Sequence, residues 1–324
     1  MQAVVYHLYG SPDVLEVKDI DKPVPTADQI LIRVHNASVN PYDWHFLRGT
    51  PSFIRLFTGL RHPKSPSLGA DVAGEVEAIG AQVKRFKPGE KVFGIANGAF
   101  AQFAFAKEKD IALMPETATF EQAAAIPMAG ITALQGLRDS GRLRSGQRVL
   151  INGAAGGVGS FAVQIAKHMG ANVTGVCSTR NVDLVRSMGA DAVIDYTCDD
   201  FTRSGAHFDV VFDLVGNRSL SDMRRALEPH GVLVGCGGGG PDRSSFELLA
   251  AMLGNAAAGP FISQRIAGLL AKINAEDLEY LAALFDAGYL KPVIDRTFPL
   301  AETAAAIRYV EQCHARGKVV VSVP

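Results

Sequence analysis

The chain has 324 residues, 48% hydrophobic and 20% charged, with a formal net charge of −1. That length suits two lobes rather than one core, and the near-neutral balance leaves no overall basic field for nucleic acid or an anionic membrane. Cys177, Cys198, Cys236 and Cys313 lie far apart and form no CxxC pair, which argues against a zinc ribbon or a disulfide framework and fits a reduced, cytoplasmic setting.

The opening "MQAVVYHLYGSPDVLEVKDI" reads as strand, turn and strand, without the basic segment and apolar run of a signal peptide. As far as residue 110, β-patterned runs are split by Gly and Pro: "QILIRVHNASV", "VAGEVEAIG", "EKVFGI", "AFAQFAFA". They predict an antiparallel, barrel-like lobe. Near residue 120 the texture changes. "TFEQAAAIPMAGITALQGL" takes helical spacing behind an N-cap at Thr119, with Gln122 placed to complete a capping box.

Strands and helices then alternate: "RVLIN", a glycine turn, a helix over 158–169, "NVTGVC", a helix over 181–188, "ADAVIDY", "DVVFDLV", a helix over 219–227, and "GVLVGC". Short apolar strands separated by helices predict a parallel sheet covered on both faces. The apolar run at 248–262 is broken by Asn255, Gly259 and Pro260. It falls short of the roughly 20 residues of a membrane span, so a buried helix and loop is expected. A helix from about 276, the strand-like "KPVIDRTFP", a helix over 300–312 and the terminal "KVVVSV" are expected to return to the first lobe. The expected domains are therefore 1–122 completed by 274–324, and 123–273.

The glycine turn carries Ala154-x-Gly156-x-x-Gly159, a variant of the dinucleotide fingerprint. Ala154, Ala155, Gly156, Gly157, Val158 and Gly159 are its expected cofactor contacts. Gly156 would let backbone approach a pyrophosphate, and Gly159 would let helix and strand pack closely. Ala154 asks a tight turn to accept a methyl group. An NAD site would end the next strand with Asp or Glu. Here Cys177 stands there, followed by Ser178, Thr179 and Arg180. Hydroxyls and a guanidinium suit a 2′-phosphate, so NADPH is the expected cofactor. The rival reading makes Arg180 a solvated residue at a helix start.

With "GADVAGEVEAIG", "FKPGEKVFG", "QAAAIPMAGITALQGL", "INGAAGGVGSFAVQIAKHMGA", "VRSMGADAVIDY" and "ARGKVVVSV" in view, the chain resembles the zinc-free quinone oxidoreductase branch of the medium-chain dehydrogenase/reductases. The likeness runs over nearly its whole length and extends to alkenal reductases. It implies a GroES-like β-rich catalytic lobe and a Rossmann cofactor lobe. Zinc-binding members ligate catalytic metal through a Cys, a His and a later Cys. This chain aligns Asn40, Ala70 and Met128 with those positions, which are not an adequate zinc set. No metal is expected.

Without a Lewis acid, the implied hydride acceptors are quinones and α,β-unsaturated carbonyls, whose charge delocalises into an anion that hydrogen-bond donors support. The loop "SVNPYDWHFLRG" offers Tyr42 and His45 as donors and Asn40 to position the ring. Asp43 is expected to bond backbone within the loop, and Trp44 and Phe46 to wall a flat substrate. The resemblance also implies cofactor contacts from Thr132, Tyr196, Val215, Gly235, Cys236, Gly237 and Lys318, and a homodimer joined at an outer strand near 264–270. Two rivals stay open on these residues: an enoyl-thioester reductase, and a nucleotide-binding protein without turnover.

Overall fold

The computed structural model describes residues 1–236 and 263–324; Gly237 and the 248–262 run lie outside the described residues. The chain opens with the antiparallel pair β1 (Gln2–Val5) and β2 (Glu16–Asp19). Next come β3 (Ile30–Val39), α1 (Pro41–Arg48), α2 (Arg55–Thr58), β4 (Asp71–Ile79), β5 (Lys91–Ile95), β6 (Phe103–Ala106) and β7 (Ile111–Leu113). β3 pairs antiparallel with β4 and β6, β4 with β5, and β5 with β7. A register shift against β4 between Val34 and Asn36 changes which side of β3 faces the core. Before it the core takes Ile30, Ile32 and Val34; after it, Ala37 and Val39.

The helical stretch after residue 119 is two helices, α3 (Phe120–Ala124) and α4 (Pro127–Gln135). The capping box forms: Thr119 Oγ1 accepts the Gln122 N–H at 3.2 Å and Gln122 Oε1 accepts the Thr119 N–H at 3.0 Å. Pro127 breaks the run because it has no N–H and disfavours helical backbone at the residue before it.

The alternating segment forms β8 (Arg148–Asn152), α5 (Gly157–His168), β9 (Asn172–Cys177), α6 (Val182–Ser187), β10 (Ala192–Asp195), β11 (Phe208–Asp213), α7 (Leu220–Arg225), β12 (Leu227–Gly235) and β13 (Arg265–Gly268). All six strands are parallel, in the order β10-β9-β8-β11-β12-β13. This is the doubly wound order of dinucleotide-binding sheets, with its switch point between β8 and β11. Among the described residues β13 is an outer strand, where the resemblance implied one.

The chain then runs through α8 (Ala275–Asp286), β14 (Ile294–Pro299), α9 (Thr303–Glu311) and β15 (Lys318–Ser322). β15 pairs antiparallel with β3 and parallel with β14, so the tail completes the first sheet. Two compact units result, residues 1–131 with 272–324, and residues 132–271. The sequence places these boundaries at 122/123 and 273/274, against 131/132 and 271/272 in the structure. Among the described residues no helix is long and apolar enough to cross a membrane.

Candidate active site and nucleotide cradle

In the first unit, β3 runs straight into α1. Asn40 is the extended N-cap residue, Pro41 occupies the first turn, and Gly49 ends the helix in the left-handed region at φ 59°. Asp43 Oδ2 accepts the Asn40 N–H at 2.7 Å, the local backbone bond expected of it. Its Oδ1 has no partner within the described residues, and the side chain is fully buried. Burial, helped by the charge of Asp71, pushes its carboxyl up to about 7, although hydrogen bonds from Asn40 and Gly69 oppose the shift.

Tyr42 faces outward at 41% exposure, its ring 4.1 Å from that of Phe46. Partial burial of the ring and the neighbouring Asp43 raise its phenol above the ordinary value, so the O–H is retained. His45 Nδ1 lies 2.7 Å from the Thr50 carbonyl, which can only accept, so Nδ1 carries hydrogen and neutral His45 offers Nε2 as an acceptor. Burial lowers its pKa and keeps it neutral. Trp44 does not wall the site. With Leu47 it forms the inner face of α1 and is buried in the core, because positions three apart share one side of a helix. Phe46 remains beside Tyr42.

Of the positions that the resemblance sets against zinc ligands, Asn40 and Met128 bond Asp71, at the head of β4, and Ala70 precedes it in the chain. Ser38 Oγ donates to Asp71 Oδ2 at 2.7 Å, Asn40 Nδ2 at 2.9 Å and Lys318 Nζ at 3.2 Å. The Met128 N–H, in the first turn of α4, donates to Asp71 Oδ1 at 3.0 Å. Lys318 Nζ also donates to Asn40 Oδ1 at 2.6 Å and to the Val39 carbonyl at 3.4 Å. Asp71, Asn40, Ser38 and Lys318 are all buried, as is Ala70. Thus Lys318, expected among the cofactor contacts, lies at the head of β15 with its ammonium bonded to Asn40 and Asp71. Among the described residues no group of three or more His, Cys, Asp or Glu could hold a metal ion.

In the second unit the cradle sits at the head of α5. Gly153 takes the left-handed conformation at φ 88°, so Ala154 does not have to. The methyl of Ala154 is accommodated because Gly175 stands opposite; a Cβ there would come within 3.0 Å of the Ala154 Cβ. At Gly159 a Cβ would meet the Gly153 carbonyl at 2.1 Å, so only glycine fits between strand and helix. At Gly156 a Cβ would meet only Gly153 O, at 3.4 Å, leaving its outer side open. The Ser160 N–H turns back to the Gly156 carbonyl, so the amides of residues 157–159 lie in the first turn, at the positive end of the helix, the ordinary seat of a phosphate. These residues fit a dinucleotide.

Cys177 ends β9, and Thr179 and Arg180 after it are exposed. Tyr196 is also exposed, and its N–H bonds the Cys177 carbonyl at 3.0 Å. Sequence reasoning passed over Asp195, which pairs with Cys177 across β10 and β9. Hydrogen bonds from Thr179 and Thr197 hold its carboxyl below the usual range. Asp213 Oδ1 accepts from Asn152 Nδ2 at 2.8 Å and from the Val215 and Gly216 N–H groups at 3.1 Å, which fixes Val215 at the switch point. Gly235 ends β12, the Cys236 N–H bonds the Asp213 carbonyl at 2.9 Å, and Thr132 is buried on α4.

Family models agree with this architecture. An alcohol dehydrogenase GroES-like domain matches residues 26–116 and a zinc-binding dehydrogenase domain matches residues 188–321. The chain is 32% identical to a chloroplast envelope quinone oxidoreductase homolog of Arabidopsis thaliana, over 99% of this chain and 98% of the relative. It is 33% identical to an NADPH-dependent alkenal/one oxidoreductase of the same plant, over 99% and 79%. Among solved structures, the quinone oxidoreductase from Coxiella burnetii aligns with a TM-score of 0.86 at 33% identity, covering 100% of this chain and 99% of that one.

Proposed function

Because the chain belongs to the quinone oxidoreductase branch of the medium-chain dehydrogenase/reductase superfamily, we propose that it is an NADPH-dependent, zinc-independent oxidoreductase acting on quinones or α,β-unsaturated aldehydes and ketones. The observation that carries the metal-independent part is the Asp71 cluster. An amide, a methyl and a thioether stand at the positions aligned with zinc ligands, and a buried ammonium bonds Asn40 and Asp71 there. A divalent cation would meet that ammonium and no thiolate or imidazole.

NADPH, when bound, supplies the hydride. Its pyrophosphate would lie on the backbone of 154–159, its 2′-phosphate against Ser178, Thr179, Arg180 and Tyr196, and its nicotinamide end toward Thr132, Val215, Gly235 and Cys236. Tyr42 is the donor to the oxygen on which negative charge develops. The residue is 41% exposed, and its hydroxyl keeps its proton and makes no hydrogen bond within the described residues. One such donor is worth about 3 kcal/mol of transition-state stabilisation. His45 is the weaker candidate, since its N–H is already given to Thr50. Asn40, held between Lys318 and Asp71, fixes the start of α1 and hence the direction of Tyr42. The proposed setting is cytoplasmic and the proposed assembly a homodimer.

The test is NADPH oxidation against o-quinones, enals, enones and enoyl thioesters, with NADP⁺ and ethanol as the reverse control. Turnover with quinones or enones, and none with ethanol, is the expected result. Turnover of enoyl thioesters alone would move the assignment to enoyl reduction, and binding without any turnover would leave a silent nucleotide-binding protein.

A further inference from the structure

The segment between α1 and β4 turns its polar anchors inward and its apolar side chains outward, the reverse of an ordinary surface loop. Tyr9 Oη lies 2.8 Å from Thr58 Oγ1 and donates to the Gly59 carbonyl at 2.7 Å. Arg55 donates to the Gly49 carbonyl at 3.0 Å and the Arg48 carbonyl at 3.1 Å, with its guanidinium over the Tyr9 ring. Held in this way, the segment exposes Phe53 (53%), Leu56 (65%), Phe57 (77%) and Leu60 (68%). Clustered exposed side chains of this size mark a contact surface, whereas single ones do not.

Charge identifies the contact. Between Asp43 and Asp71 the chain carries no acidic residue. Arg61, His62 and Lys64 follow the apolar cluster directly and are exposed. Arg61 and Lys64 are in no ion pair among the described residues, whereas Arg48 of α1 is paired with Glu311. An apolar tip beside unpaired cations is complementary to an anionic lipid surface: the rings and leucines enter the acyl boundary while the cations meet headgroups. The chain's overall charge of −1 offers no general attraction, so binding depends on this one patch. We propose that residues 53–64 dock the protein peripherally on anionic membranes. The inference is independent of the reductase assignment.

The test is sedimentation of the full chain with phosphatidylcholine vesicles, with and without about one-third phosphatidylglycerol. Binding to the anionic vesicles is expected, weakened at least about tenfold without the anionic lipid or in high salt. Phe57→Asp with Leu60→Asp, and separately Arg61→Ala with Lys64→Ala, should each lower binding about tenfold or more while the melting temperature holds, because these side chains are exposed. Failure of the wild type to bind, or equal binding by the apolar variant, overturns the proposal. So does a change of mass by light scattering in the apolar variant with vesicle binding intact, which would make the patch a protein interface.

Discussion

Tyr42 and Asp43 are neighbours in the chain with opposite environments, and each predicts a distinct experiment. Tyr42→Phe keeps the ring against Phe46 and removes only the hydroxyl. It should lower kcat about 10²-fold with little change in melting temperature. His45→Ala should do the reverse, because it removes a half-buried ring and the bond to Thr50. Steady-state kinetics and thermal melts on both variants check the pair. Asp43 holds its proton to about 7 in the folded chain, against 3.8 for an ordinary Asp. Folding therefore takes up a proton between those values, and Asp43 costs stability as pH rises through that window, of order a few kcal/mol by its upper end. Asp43→Asn lacks this slope. In urea unfolding from about pH 4.5 to about pH 8, the variant should gain on the wild type as pH rises; a constant difference would contradict the assignment. That Tyr42 and His45 follow β3 closely was legible from the sequence, and their donor roles are proposals. The burial that separates Trp44 from Phe46 was not, since it depends on which side of α1 meets the core.

Among the elements, the cofactor sheet was the most legible part, because short apolar strands and a glycine turn are local signals. Most of its boundaries moved by a residue or two, as helix and strand ends do, but β12 begins at Leu227, ahead of the expected start at Gly231. The Asp71 cluster was not legible. Lys318 and Asp71 are 247 positions apart, and only the pairing of β3 with both β4 and β15 brings them together. A signal did exist: each is a lone charge heading an otherwise apolar run, "DVAG" and "KVVV", and the two are opposite in sign. Removing one member of a buried pair leaves the other uncompensated, so Lys318→Met should destabilise the fold by about 3–5 kcal/mol. Adding Asp71→Asn should recover part of that loss. Denaturant unfolding of the two single variants and the double reads the coupling, and strictly additive losses would mean the ammonium and carboxylate are energetically independent.

For the whole molecule, the return of the tail to the first sheet was readable in outline from the order of elements. Assembly is a proposal. Among the described residues β13 lies at one edge of a six-stranded sheet, and an open edge invites pairing. The expected state is a homodimer joined there, and a monomer by light scattering at micromolar concentration would contradict it. The central claim is hydride transfer from NADPH without metal, with a buried ammonium among the residues aligned to zinc ligands. Its most direct measurement is kcat for an enone or quinone with NADPH, before and after exhaustive chelation, on protein assayed for zinc. Unchanged turnover and no stoichiometric zinc are expected; turnover lost on chelation and restored by zinc would contradict the account.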